Sequence, residues 1–173
     1  TSSVGTVPVD VAGVHLASSV SGKGLGAMPG LSFVFYSHAV SPAPKRLPRY
    51  LDLGLYAEHD GVPFTHSSNL LAALDAALRR YETETPFEEL SELGVWLRTQ
   101  LRDIGFQLVA ADEHAAPAIV TMALPSTISS KWVGEQLEKE GFLLSYRSGY
   151  LLRWNWIQIS IMGECSRARL APL

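Results

Sequence analysis

From residue 65 onward, the alternation of apolar and polar positions spells out helices and strands. Leu70, Leu71, Leu74, Ala77, Leu78 and Tyr81 recur at helical spacing and predict a helix over residues 66–81. A second helix carries a complete start signal: Thr85 as N-cap, Pro86 at the first helical position and Glu88 closing a capping box. Leu90, Leu93, Leu97, Leu101 and Ile104 form its apolar stripe, and Gly105 ends it as a left-handed cap. Strands follow over residues 106–110 and 118–124. Ser129 or Ser130 caps a third helix that runs to Glu140 and stops at Gly141. Strands over 142–147 and 156–162 complete the series. This order predicts a compact α+β domain with helices on one face of a small sheet.

Residues 1–64 are different in texture, being rich in Gly, Pro and Ser. Two runs have strand character, Val14–Val20 and Leu31–Tyr36. Residues 41–49 contain three prolines and read as an extended connector. The change of texture falls between Asp60 and His66, which gives segments 1–64 and 65–173. Between the two early strands lies Ser21-Gly22-Lys23-Gly24. A phosphate-binding P-loop needs Gly at 17 and Ser or Thr at 24, where the chain has Ala17 and Gly24. Gly22-x-Gly24-x-x-Ala27 fits a relaxed dinucleotide fingerprint, but Pro29-Gly30 and a strand follow where a helix is required. What remains is a lysine at a strand end among glycines. Such a lysine is expected to be partly buried, which depresses an amine's pKa and makes it a better nucleophile toward a carbonyl. The glycines let a flat ligand approach the backbone.

Composition narrows the function. The 173 residues are 47% hydrophobic and 18% charged, with a formal net charge of −3. No basic field exists to hold a nucleic acid. No apolar run approaches the roughly 20 residues that span a bilayer, and the N-terminal stretch lacks the pattern of a signal peptide. It also lacks an initiator Met, as a processed start or a piece of a longer chain would. Cys165 is the single cysteine, and a reducing, cytoplasmic setting follows as the expectation. Asp112-Glu113-His114 has no second ligand pair at helical spacing and reads as a surface turn, so no metal site is expected. His59, Asp60 and His66 read as loop residues, Cys165 as a bystander, Trp154-Asn155-Trp156 as packing residues and Glu138-Lys139-Glu140 as a solvated helix end.

The runs Thr1-Ser2-Ser3-Val4-Gly5, Pro8-Val9-Asp10, Ser21-Gly22-Lys23-Gly24-Leu25 and Pro29-Gly30-Leu31-Ser32-Phe33-Val34 together resemble the cofactor-lysine region of class V aminotransferases. These are fold type I enzymes dependent on pyridoxal 5'-phosphate (PLP). The resemblance continues through Pro63-Phe64-Thr65-His66, Gly105-Phe106 and Ile159-Ser160-Ile161-Met162-Gly163-Glu164. Within the class it is greatest to the 2-aminoethylphosphonate–pyruvate and alanine–glyoxylate/serine–pyruvate transaminases.

That resemblance implies an α/β fold. Residues 1–64 would be the end of the PLP-binding large domain, and residues 65–173 the C-terminal α+β small domain. It implies that Lys23 carries PLP as a Schiff base and shuttles the proton, and that Ser21 lies near the cofactor phosphate. Gly22 stands where the family often has Gln or Asn. Thr65 matches a threonine that reaches the phosphate of the other subunit's cofactor in a homodimer. Gln158 stands where the family has an arginine that grips the substrate's carboxylate or phosphonate. Glutamine cannot make that ionic fork, which leaves Arg153 or Arg147 to substitute. The aspartate that pairs with the pyridine nitrogen, the glycine-rich phosphate loop and the ring-stacking aromatic lie upstream of Thr1 in the family. The chain is therefore expected to be a C-terminal half that needs the N-terminal half and is inactive alone. The implied reaction moves an amino group from an amino acid or aminophosphonate to a 2-oxo acid. The alternative is a non-catalytic remnant or interaction domain of the same origin. A PLP lyase such as a cysteine desulfurase is a lesser reading, since it needs a mobile-loop cysteine and Cys165 lies poorly for that.

Overall fold

The computed structural model describes residues 2–83 and 86–173. The chain divides into two compact units, Thr1–Val4 with Val9–Glu82 and Gly5–Pro8 with Thr83–Leu173.

In the first unit, β1 (Leu16–Val20) pairs antiparallel with β2 (Ser32–Tyr36), with Val20 opposite Ser32. Residues 21–31 are the loop that joins them, and they hold the glycine-rich lysine segment. The proline-rich connector is gathered by Asp52. One oxygen of this buried carboxylate accepts from Ala43 N at 2.7 Å, and the other caps α1 (Leu53–Glu58) through Gly54 N. The apolar periodicity does not announce α1, because its six residues span less than two helical turns. The predicted helix at 66–81 runs two residues later, as α2 (Ser68–Thr83). Its first turn is met by Ser67, whose hydroxyl accepts from Leu70 N at 3.5 Å.

The second unit is built on α3 (Pro86–Asp103) and an antiparallel sheet of β3 (Gln107–Leu108), β4 (Ile119–Ala123) and β5 (Trp156–Ser160), in that order. Leu93, Leu97 and Leu101 of the predicted stripe are buried against Val120 and Met122 of β4 and Ile157 and Ile159 of β5. Ile104, also expected in the stripe, is 69% exposed, because the helix ends at Asp103 and Gly105 turns the chain at φ +95°. Thr85, the expected N-cap, lies outside the described residues. α4 (Ser130–Lys139) begins where its cap predicts, with Ser129 Oγ accepting from Trp132 N at 3.3 Å.

The strand expected at 142–147 is absent. That segment touches the sheet at one bridge, Ser145 to Gln158. The segment's next two side chains turn instead to Glu138 of α4. Beyond it, Ser148 caps the short α5 (Gly149–Trp154). Asn155 then adopts φ +55° and ties three segments together. Its Oδ1 accepts from Ser130 N at 2.7 Å, and its Nδ2 donates to the carbonyls of Leu124, Pro125 and Ile128. The short α6 (Arg167–Leu170) lies against α3.

Candidate active site

The lysine loop is held by one buried hydroxyl. Ser21 is fully buried. Its Oγ donates to Met28 O at 2.6 Å and accepts from Leu31 N at 3.2 Å. Its backbone closes the same loop, with Ser21 N donating to Leu31 O at 3.0 Å and Ala27 N to Ser21 O at 3.1 Å. Pro29 crosses so near Gly22 that a Cβ there would stand 2.6 Å from the Pro29 Cβ, so only glycine fits. Leu25 and Leu31 anchor the loop's apolar side.

Lys23 is exposed on this frame, contrary to the partial burial expected from the sequence. The reason is local. The loop's apolar side chains, Leu25 and Leu31, turn inward, while Gly26 N donates to Lys23 O at 2.9 Å and holds the lysine on a tight turn. Among the described residues no carboxylate pairs with its ammonium.

α2 braces the loop at two places. Leu70 packs over Gly30, and the Tyr81 hydroxyl donates to Gly24 O at 3.4 Å. Burial pushes the Tyr81 phenol up from its ordinary pKa against the opposing pull of Arg80, so it stays a neutral donor. Thr65, three residues before α2, is exposed. The helix cap that could have occupied it belongs to Ser67, and the Thr65 hydroxyl is left available as a donor.

The other two candidates lie in the second unit. Gln158 alternates with the buried Ile157 and Ile159, so it sits on the sheet face turned away from the core. Its Nε2 donates to Thr121 Oγ1 at 3.0 Å across the strand pair. It borders an open cavity of about 460 Å³ shared with Ser145, Tyr146 and Arg147. Arg153, on α5, is exposed, with its guanidinium 5.6 Å from the centre of the Trp154 ring.

Two residues that read as bland surface in the sequence organise charge. Glu138 Oε2 accepts from the Tyr146 hydroxyl at 2.6 Å and pairs with Arg147 at 2.5 Å, so it is no idle helix end. The hydrogen bond to Glu138 is the main reason the Tyr146 phenol is raised above its usual pKa. Asp112, in the expected surface turn, binds Arg98 and Arg102. Neither partnership has a spacing signal, since the partners lie 8 to 14 residues apart across a turn. No cluster of three or more His, Cys, Asp or Glu is assembled among the described residues. Among those residues no helix is long and apolar enough to cross a membrane.

No family model matches the chain. Over 134 residues it is 36% identical to the soluble hydrogenase 42 kDa subunit of Anabaena cylindrica, covering 72% of this chain and 35% of that one. Over 156 residues it is 25% identical to 2-aminoethylphosphonate–pyruvate transaminase of Lysinibacillus sphaericus, covering 83% of this chain and 43% of that one. Among solved structures, alanine–glyoxylate aminotransferase from Nostoc sp. matches with a TM-score of 0.83 and 28% identity, over 99% of this chain and 50% of that one. The chain thus spans between about a third and a half of the proteins it matches. In sequence and in fold, it matches the C-terminal half of the class V aminotransferases.

Proposed function

We propose that this chain supplies the lysine half of a PLP-dependent aminotransferase, which moves an amino group from an amino acid or aminophosphonate to a 2-oxo acid. The observation that carries this reading is the lysine loop, an accessible amine on a backbone locked by a buried serine. The residues present fit the cofactor: Lys23 offers an amine for its carbonyl, and Thr65 an exposed hydroxyl for its phosphate. PLP, when bound, supplies an electron sink for bonds at the substrate's α-carbon.

The chain's own residues do the rest. Lys23 Nζ, as the free amine, is the nucleophile and then the group that takes and returns a proton. Ser21 serves as a positioning residue. A phosphate needs donors, and the Ser21 proton is already given to Met28 O, so its part is to keep the lysine backbone in place. Thr65 donates to the phosphate of the partner subunit's cofactor in a homodimer. Arg153 offers a planar fork for a carboxylate or phosphonate, and Gln158 a neutral hydrogen-bonding group. Residues 1–64, with α2 braced on them, act as the end of the cofactor domain, and the second unit acts as the small domain. The chain works in the cytoplasm, joined to an upstream half that supplies the aspartate for the pyridine nitrogen, and it is inactive alone.

A second reading, a non-catalytic remnant, is favoured by one observation. Gln158 carries no charge and is engaged with Thr121, and Arg147 is paired with Glu138, so neither offers a ready cation to a substrate anion. The two readings part in an assay with PLP, glyoxylate or pyruvate as acceptor, and alanine, serine or 2-aminoethylphosphonate as donor. The enzyme reading expects turnover when the chain is joined to an upstream half and none from the chain alone. No turnover with any donor from the joined, folded protein would establish the remnant.

A further inference from the structure

In the second unit, two arginines one turn apart on α3 face a single carboxylate. Arg98 Nε donates to Asp112 Oδ1 at 3.1 Å, and Arg102 donates to the two oxygens of Asp112 at 2.9 and 2.7 Å. The Arg102 hydrogen bond is the main cause that holds the Asp112 carboxyl below its usual pKa, so the carboxylate stays charged. Two cations against one anion leave a net positive charge.

The Arg98 side chain is only 10% exposed. Its Nη1 is buried with no hydrogen-bond partner among the described residues. A charged donor removed from water is costly when it is left unpaired. The same guanidinium borders an open cavity of about 580 Å³, whose walls also include Arg102, Ser91, Val95 and Pro8. That volume falls within the range of small-molecule sites, roughly 300–1,000 Å³. Among the described residues Asp112, already engaged by both arginines, is the one acidic side chain in the wall.

We propose that this cavity binds a small oxyanion, the phosphate or carboxylate group of a small molecule, with Arg98 and Arg102 as its clamp. A guanidinium has five donors in a fixed fork, and Asp112 uses one of those on Arg98. An oxyanion entering beside Arg102 takes the unused edge of Arg98, reaching the sealed Nη1 through a small shift of the guanidinium. Ser91 adds a hydroxyl at the rim. None of these residues belongs to the cofactor or substrate candidates, so this site stands or falls separately from the transaminase reading.

The test is the thermal midpoint of the purified chain in inorganic phosphate and in succinate, each against sodium chloride at equal ionic strength. Isothermal titration with the same two probes gives the affinity. Both oxyanions are expected to raise the midpoint above chloride, and whichever binds tighter identifies the natural headgroup. Arg98→Met is expected to weaken binding at least about tenfold, the equivalent of losing one charge-assisted hydrogen bond. Val95→Trp, at a half-exposed wall position, fills the cavity while leaving both arginines in the chain and should abolish binding while circular dichroism stays unchanged. This second variant decides the matter if Arg98→Met does not fold. No gain over chloride with either probe overturns the proposal. A gain that survives Val95→Trp at full size overturns it as well.

Discussion

The lysine loop and the three-stranded sheet are held by opposite means. The sheet rests on apolar burial, with Ile157, Ile159 and Ile161 almost inaccessible beneath the leucines of α3. The loop buries only two apolar side chains, Leu25 and Leu31, and is fixed chiefly by hydrogen bonds at Ser21 and by a crossing proline, with its reactive amine left in the open. The first design tolerates no lost volume. The second tolerates change in the amine and depends on the hydrogen bonds below it.

The largest expected effect follows from that contrast. Ile159→Ala should lower unfolding free energy by about 2–5 kcal/mol, as large-to-small changes do in packed cores. Lys23→Ala, exposed and unpaired, should change it by less than about 0.5 kcal/mol. Urea denaturation of both variants checks the pair, and comparable losses would break the distinction.

Next comes Asn155→Ala, expected to cost about 2–3 kcal/mol. It strips hydrogen bonds to four backbone partners and leaves alanine at a positive φ. Ser21→Ala should cost about 1–3 kcal/mol, since Met28 O and Leu31 N then lose their side-chain partner in a closed site. It should also slow modification at Lys23, although Ser21 itself is inaccessible. A loss of stability with unchanged Lys23 reactivity would show that the frame does not position the amine.

The smallest effect is on the acid side. Asp112 has a folded pKa below its unfolded value, so its contribution is present above the ordinary carboxylate range and is lost as pH falls through the lowered value. Asp112→Asn should flatten that arm of the stability–pH curve, read from thermal midpoints at low salt.

Much of the second unit is legible in the sequence, because helices with a 3.6-residue stripe and a good cap announce themselves. Ser129 and Gly141 alone mark both ends of α4. The hairpin around Lys23 is legible too, from apolar runs on either side of glycines. What escapes are features set by tertiary partners. Residues 142–147 look like a strand, but Tyr146 and Arg147 satisfy themselves on Glu138, eight and nine residues back. The expected burial of Lys23 fails because flanking apolar residues say how a loop is anchored, and not which way its longest side chain points. Asp52 as organiser of the connector is invisible for the same reason, since Ala43 gives no sign of needing a partner. The roles of Lys23, Thr65 and Gln158 come from family resemblance, as their spacing carries no chemistry of its own.

Reaction with PLP should single out one lysine, the one its loop sets apart. The chain has four: Lys23, Lys45, Lys131 and Lys139. Incubation with PLP, reduction with borohydride and quantitative peptide mapping compare them directly. Labelling concentrated on Lys23 and lost in Lys23→Ala is the predicted result. Labelling spread evenly over the four lysines, or undiminished in Lys23→Ala, would contradict it.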